Sequence, residues 1–279
     1  MTDRRDNTRS PQRPATDVLT ERSSRVVSLA KLHRASVRRA ENRFLVEGFN
    51  AVDAALATGR ATRLLVRDSD ADRHETLVRR AVAAGLAVHR VNDRAASKLS
   101  ETTTSPGVFA VCDLLVPTLA DVLAAGPRLL VVAVEPREPG NVGTLTRCAD
   151  AMGADAVVLL GDSVDPHNSK SVRASAGSVF HIPVVRDSDV AGALEKIRSA
   201  HVALIATTMD GELSLDDADA TLASSHAWLF GNEAHGLPDE VLADADHRLS
   251  IPIRGRAESL NLAAASAICL YASARVQNC

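Results

Sequence analysis

Aromatic side chains are scarce in this chain: one Trp, one Tyr and five Phe among 279 residues, 3% in all. That scarcity argues against an extended aromatic platform for holding bases. Cysteine is equally sparse, with Cys112, Cys148, Cys269 and Cys279 far apart and in no paired spacing. They offer neither a zinc-ligand pattern nor a disulfide framework, so reduced thiols in a cytoplasmic protein are the expectation. The nine histidines lack a spacing such as His-x₃-His, and no metal is expected. No apolar run nears the length of a membrane span. The polar, Arg-rich N-terminus lacks the apolar stretch of a secretion signal.

What is present is ordinary for a soluble globular protein, 46% apolar and 24% charged. The net charge of −3 hides an asymmetry. Residues 1–43 carry eleven Arg or Lys against five acids, a net +6, which leaves −9 for the remainder. A basic front end on an acidic body is a reason to consider nucleic acid, although a solvated charged tail reads equally well from charge alone. Residues 1–22 are polar and Pro-containing, and predict a disordered basic tail. From Ser23, apolar Val26, Leu29 and Leu32 predict one amphipathic helix whose other face holds Lys31, Arg34, Arg38 and Arg39. Short strands and helices then alternate to about residue 116, as in a small α/β unit.

Beyond residue 117 the pattern becomes regular. Apolar runs at Leu129–Val134 and Ala156–Leu160 predict strands buried on both faces, and further strand–helix units follow to the end. The expectation is α/β, with a mainly parallel sheet covered on both sides. Strands are expected near Phe180–Val184, Ala227–Phe230 and Arg248–Ile251, and a last helix from Ser259 to about Arg275.

Three polar, Gly-bearing segments follow predicted strands, where α/β proteins place ligands. Glu135-Pro136-Arg137-Glu138-Pro139-Gly140-Asn141 runs on to Arg147 in a predicted helix. It holds no Gly-x-Gly-x-x-Gly and no phosphate loop, which disfavours a nucleotide-dependent small-molecule enzyme. Leu229-Phe230-Gly231-Asn232-Glu233 and Ile251-Pro252-Ile253, with Ser259-Leu260-Asn261, are the others. Each residue alone also suits a plain role: Asn141 or Ser259 as a helix N-cap, Arg147 as a solvated helix residue, the glycines as turn formers. A looser stretch, Asn168 to Gly177 with Lys170 and Arg173, suits an anion or a surface turn.

Together, the three segments resemble the signature motifs of the SpoU (TrmH-like) branch of the SPOUT RNA methyltransferases, and the resemblance is nearest to the thiostrepton-resistance type. It covers the chain from about residue 24. Asn42-Arg43-Phe44-Leu45-Val46-Glu47-Gly48 resembles the ribosomal-protein-like substrate domain of many members. Glu135 stands where many members carry Asp, and keeps the carboxylate. The resemblance implies an RNA-binding domain over residues 23–116 and a methyltransferase domain over 117–279 with a C-terminal trefoil knot. It implies transfer of a methyl group from S-adenosylmethionine to a ribose 2′-hydroxyl of structured RNA, ribosomal and of the large subunit, by a homodimer.

By the same resemblance Asn141, Arg147, Ser259 and Asn261 are catalytic. Leu229, Gly231, Glu233, Ile251, Ile253, Leu260 and Asn261 contact the cofactor, and Gly231→Val should crowd it out. Arg173 takes the phosphate beside the target, while Lys31, Arg34, Arg38, Arg39 and Arg43 grip the RNA backbone. Alternatives are a tRNA ribose methyltransferase of the same branch, or a ribosome-associated RNA-binding factor without catalysis. The folded N-terminal unit and the intact motif residues weigh against them in turn.

Overall fold

Alternating apolar residues in the first third of the chain build a four-stranded mixed sheet with both faces covered. The computed structural model describes residues 18–277. Its first elements are α1 (Ser24–Ala30), α2 (Ala35–Glu41), β1 (Arg43–Glu47), α3 (Phe49–Ala57), β2 (Ala61–Arg67), α4 (Glu75–Ala83), β3 (Ala87–Val91), α5 (Asp93–Leu99) and β4 (Val108–Asp113). The strand order is β1-β4-β2-β3, with β4 antiparallel to both neighbours and β2 parallel to β3. Phe44, Val46, Leu64 and Val66 point to the side of α3 and α4. Leu45, Leu65, Phe109 and Val111 pack instead with Val26 and Leu29 of α1.

Two expectations change here. The single N-terminal helix is broken into α1 and α2, with Arg34 extended between them. The Arg38 guanidinium bonds the carbonyls of Leu32 and His33, each at 2.9 Å, taking acceptors that a continuous helix would have used. Residues 1–17 of the expected tail lie outside the described residues. Its last residues do not hang free. Leu19 bridges Val91, and its N–H donates to the Arg90 carbonyl at 2.9 Å. The open edge of β3 supplies unpaired backbone groups, and the chain uses them before Ser23.

The second unit comprises α6 (Leu119–Ala124), β5 (Leu129–Val134), α7 (Pro139–Ala151), β6 (Ala156–Leu160), α8 (Ser169–Ser175), β7 (Val184–Asp187), α9 (Val190–Ser199), β8 (Ala203–Thr207), β9 (Leu213–Ser214), α10 (Asp219–Leu222), β10 (His226–Phe230), α11 (Asp239–Asp244), β11 (His247–Ser250) and α12 (Leu262–Gln277). Seven parallel strands pair in the order β7-β6-β5-β10-β8-β11-β9. Strands β5, β6 and β10 are buried at every residue, as their apolar runs require. One face packs with α7 and α12, the other with α6, α9 and α11. The strand expected at Phe180 begins at Val184, because Ser178–Phe180 forms a 3₁₀ turn that stacks Phe180 on Phe44, ring centroids 5.9 Å apart. The stretch from Asn168 is the helix α8 rather than an irregular turn. No helix among the described residues is long and apolar enough to cross a membrane.

The two units share one apolar core that runs from Phe44 and Ala54 to Phe180 and Leu270. Gly177, at φ +109°, lets α3 approach closely: a Cβ there would come within 2.9 Å of the Ala54 side chain.

Candidate active site

Strands β5, β10, β8 and β11 are neighbours and parallel, so their C-terminal ends lie along one edge. Glu135, Gly231, Thr208 and Ile251 follow those ends directly. The three polar segments therefore meet because the sheet is parallel, not because they are near in sequence.

The first segment opens with Glu135 in the left-handed region, φ 50°, a conformation that non-glycine residues hold only when their surroundings fix it. Its N–H donates to the Leu160 carbonyl at 3.0 Å, and its own carbonyl accepts from Asn232 Nδ2 at 2.7 Å. Helix α7 starts at Pro139, and the Glu138 carboxylate caps it by accepting from the Gly140 N–H at 3.1 Å. Asn141 is thus not the N-cap, and its side chain is released for tertiary bonds.

Those bonds join all three segments. Asn141 Nδ2 donates to Glu233 Oε1 at 2.9 Å, and Asn141 Oδ1 accepts from Asn261 Nδ2 at 3.3 Å. Glu233 also accepts from the Arg137 N–H at 3.2 Å and the Glu138 N–H at 3.4 Å. Partial burial opposes ionisation of Glu233, but these donors outweigh it and hold the carboxyl below the usual carboxylate range. Asn232 and Gly236 exchange backbone hydrogen bonds of 2.9 and 2.8 Å across the turn after β10. Asn261, rather than Ser259, caps α12, which begins at Leu262: its Oδ1 accepts from the Ala263 N–H and its carbonyl from the Ala265 N–H, both at 2.9 Å. Ser259 is exposed in the loop before it.

A cleft of about 670 Å³ opens between the first two segments, lined by residues from Val134 to Glu138 and from Asn232 to Pro238. Glu233 lines it, whereas Leu229, Ile251, Ile253 and Leu260 do not. Leu229 is fully buried within β10. Ile253, 39% exposed, and Met209, 78% exposed, are uncovered apolar side chains beyond the adjacent ends of β11 and β8. Gly211 brings their loops together, since a Cβ there would lie 2.6 Å from the Leu249 backbone.

Arg147 is exposed on α7 and has no ion pair among the described residues. Arg173 on α8 is ion-paired with the buried carboxylate of Glu47 at the end of β1, which also accepts from Ser100 Oγ at 2.6 Å. Beside this pair is a second cavity of about 350 Å³, lined by Glu47, Phe49, Thr102, Thr104 and Arg173 among others. Lys31, Arg34 and Arg39 are exposed, and exposed Arg43 lies 3.8 Å from Asp113. Arg38 differs from the phosphate-gripping role expected of it. Its side chain is 4% exposed and pairs with Asp165 at 2.5 Å, which faces it inward. Sequence reasoning also missed the tether from Asn232 to Glu135, although Asn232 stands in the second motif; the strained φ of Glu135 leaves no mark in the sequence.

These features define a parallel α/β protein with a ligand crevice at its strand ends and a second α/β unit packed beside it. The chain belongs to the SpoU rRNA methylase family, which matches residues 128–271; the MRM3-like substrate binding domain matches residues 23–110. Among its relatives is the 23S rRNA (guanosine(2553)-2'-O)-methyltransferase RlmP of Bacillus subtilis (strain 168), 34% identical over 90% of this chain and 96% of that protein. The 23S rRNA (uridine(2479)-2'-O)-methyltransferase of Streptomyces viridochromogenes is 30% identical over 96% of this chain and 95% of that one. An rRNA methyltransferase from Sinorhizobium meliloti superposes with a TM-score of 0.81 at 30% identity, over 93% of this chain and 97% of that one. A further structure of an rRNA methyltransferase from Sinorhizobium meliloti was solved with AdoMet (S-adenosylmethionine) bound; it covers 91% of this chain and 95% of its own at TM-score 0.77 and 30% identity.

Proposed function

We propose that this chain is an S-adenosylmethionine-dependent RNA 2′-O-ribose methyltransferase acting on large-subunit ribosomal RNA, as a homodimer. The observation that carries the reading is the junction of Glu233, Asn141 and Asn261, which binds all three motif segments into one edge. Arg147 lies on the same helix as Asn141 and has no ion pair among the described residues. Binding RNA alone would not require that junction. The division at residue 116, the trefoil knot and the cytoplasmic setting belong to the same reading. A knot is supported by the late strand β10 lying between β5 and β8, and by α12 packing back on α7. Dimerisation is supported by the uncovered stripe of Ala264, Ile268 and Tyr271 on α12.

The strand edge suits the cofactor in two respects. Met209 and Ile253 are apolar groups that an adenine ring would cover, and the turn from Asn232 to Gly236 brings backbone close to the cleft. Leu229, through its backbone, and Gly231, Glu233, Ile251, Ile253, Leu260 and Asn261 are the residues that would hold it. Bound there, S-adenosylmethionine supplies an electrophilic methyl group. The protein's task is to orient the ribose hydroxyl in line and to stabilise the oxygen as its proton leaves. Asn141 and Asn261 fix the site, and Ser259 stands at its rim. The Arg147 guanidinium stabilises the developing alkoxide, while water or a phosphate oxygen of the RNA takes the proton. Arg173, held by Glu47, keeps N–H groups for the neighbouring phosphate.

The test is tritium transfer from labelled S-adenosylmethionine to large-subunit RNA, small-subunit RNA and tRNA in parallel. Alkali-resistant label confined to large-subunit RNA is the expected result; label in tRNA would overturn the substrate, and none in any RNA, with the cofactor bound, would overturn catalysis on naked RNA. Arg147→Ala should lower kcat by about 10²-fold or more while cofactor affinity stays near that of the wild type.

A further inference from the structure

A second arginine cluster lies on the N-terminal unit, built from residues other than Lys31, Arg34 and Arg39. The registers β1 to β4, β4 to β2 and β2 to β3 put Arg43, Arg63 and His89 on the same face as Leu45, Leu65 and Val111, the face that α1 covers. Arg25 reaches in from α1, with Nη1 3.3 Å from His89 Nδ1. The Nε of Arg63 is buried and has no hydrogen-bond partner. Among the described residues the one carboxylate ion-paired with the cluster is Asp113, 3.8 Å from Arg43 and itself largely exposed. Neither Arg25 nor Arg63 has an ion pair among the described residues. Burial, then the charges of Arg25 and Arg43, push Arg63 down, and burial, then Arg25 and Arg63, do the same to His89. Like charges gathered around a buried, unpaired N–H form an environment that an anion would relieve.

We infer that Arg25 and Arg63 hold a phosphodiester of the RNA, with Arg43 and the His89 ring at its margin, as a second anchor on the N-terminal unit. This inference rests on the RNA methyltransferase reading. Guanidinium forks suit phosphate oxygens, and a backbone contact of this kind sets register without reading bases. His89 gains a proton more easily once the anion is present, so the site strengthens itself as it fills.

The test uses the full-length protein with Arg25→Gln, Arg63→Lys and the double change Arg25→Gln/Arg63→Gln. Affinity for a large-subunit RNA fragment is measured between 50 and 300 mM KCl. Each lost phosphate contact should flatten the slope of log affinity against log salt by about 0.9, so the double variant should lose up to about twice that if both contacts vanish. KM for RNA should rise with kcat unchanged, and Arg63→Lys should keep the wild-type salt slope while its KM rises less than that of the double variant. The His89 ring titration should move up when RNA is added to wild type but not to the double variant. Thermal midpoint and S-adenosylmethionine affinity control for folding, and Arg25→Gln, on an exposed side chain, serves if the double variant is unstable. An unchanged slope and KM would overturn the anchor, as would inorganic phosphate shifting His89 when RNA does not. If wild type binds RNA through this cluster yet transfers no methyl group, the anchor stands and the catalytic reading fails.

Discussion

At Gly231 the backbone leaves no space for a side chain. A Cβ would lie 2.1 Å from the Gly236 carbonyl carbon and 2.3 Å from the Leu237 nitrogen. The expectation that Gly231→Val acts by crowding the cofactor is therefore too narrow, because the first obstacle is the protein's own turn. Even Gly231→Ala should open that turn, cost about 1–3 kcal/mol in stability and weaken S-adenosylmethionine binding with it; calorimetric unfolding and titration on one preparation would check both. Unchanged unfolding with lost binding would restore the simpler view. Glu233 makes a complementary case. Its carboxylate receives three N–H donors, so Glu233→Gln turns an amide N–H toward a donor and should lower kcat/KM for RNA by about tenfold. Because its folded pKa is depressed, the wild-type advantage in stability should be full above the unfolded value of about 4.3 and fade as pH falls below it. The residues of this junction were legible as motif members. Their partners were not, since Asn141 and Glu233 are 92 residues apart and only the parallel sheet brings them together.

At the scale of elements, β10 and α12 are fastened by a buried polar chain. Trp228 Nε1 donates to Ser273 Oγ at 2.8 Å, Ser273 donates to His226 Nε2 at 2.8 Å, and His226 Nδ1–H donates to the Ser224 carbonyl at 2.8 Å. Only the neutral ring can accept from Ser273 while donating to Ser224. Burial, against the smaller pull of Ser224, pushes the His226 pKa down. An unfolded histidine takes up its proton near pH 6.5 and the folded one does not, so stability should be flat above that pH and fall as pH drops below it. Ser273→Ala strands the indole N–H and the imidazole nitrogen and should cost about 1–3 kcal/mol. Trp228, the only tryptophan, reports the loss directly through its fluorescence on unfolding. Buried parallel strands such as β5 and β6 were legible because burial on both faces forces an apolar run. Helix α8 was not: its Ser, Lys and Arg residues mimic a loop, and it is held by close packing on α7, where a Cβ on Gly143 would meet the Ser171 carbonyl at 2.2 Å.

At the scale of the whole molecule, the shared core and the Arg38–Asp165 pair tie the N-terminal unit to the parallel-sheet unit. In the dimer reading the second copy completes the exposed face of α12, so Tyr271→Glu should yield a monomer by analytical ultracentrifugation and abolish methyl transfer without lost cofactor binding if the reading holds. The Arg38 pair permits a sharper separation of roles. Burial opposes the charge on Asp165, but hydrogen bonds from His167 and Arg38 outweigh it and hold the carboxyl far below its usual range. Removing one partner of such a buried pair leaves an uncompensated charge, so Arg38→Ala should cost about 3–5 kcal/mol. For a chain of this size that is a fall of about 10 °C in Tm. Because Arg38 spends its donors on Asp165 and on the Leu32 and His33 carbonyls, the salt slope of RNA binding should not change at temperatures where the variant is folded. Exposed Arg39, its neighbour on α2, should behave in reverse: Arg39→Ala keeps Tm and flattens the slope by about 0.9. A flattened slope for Arg38→Ala would mean that the guanidinium leaves Asp165 to meet a phosphate, and that the two units loosen when RNA binds.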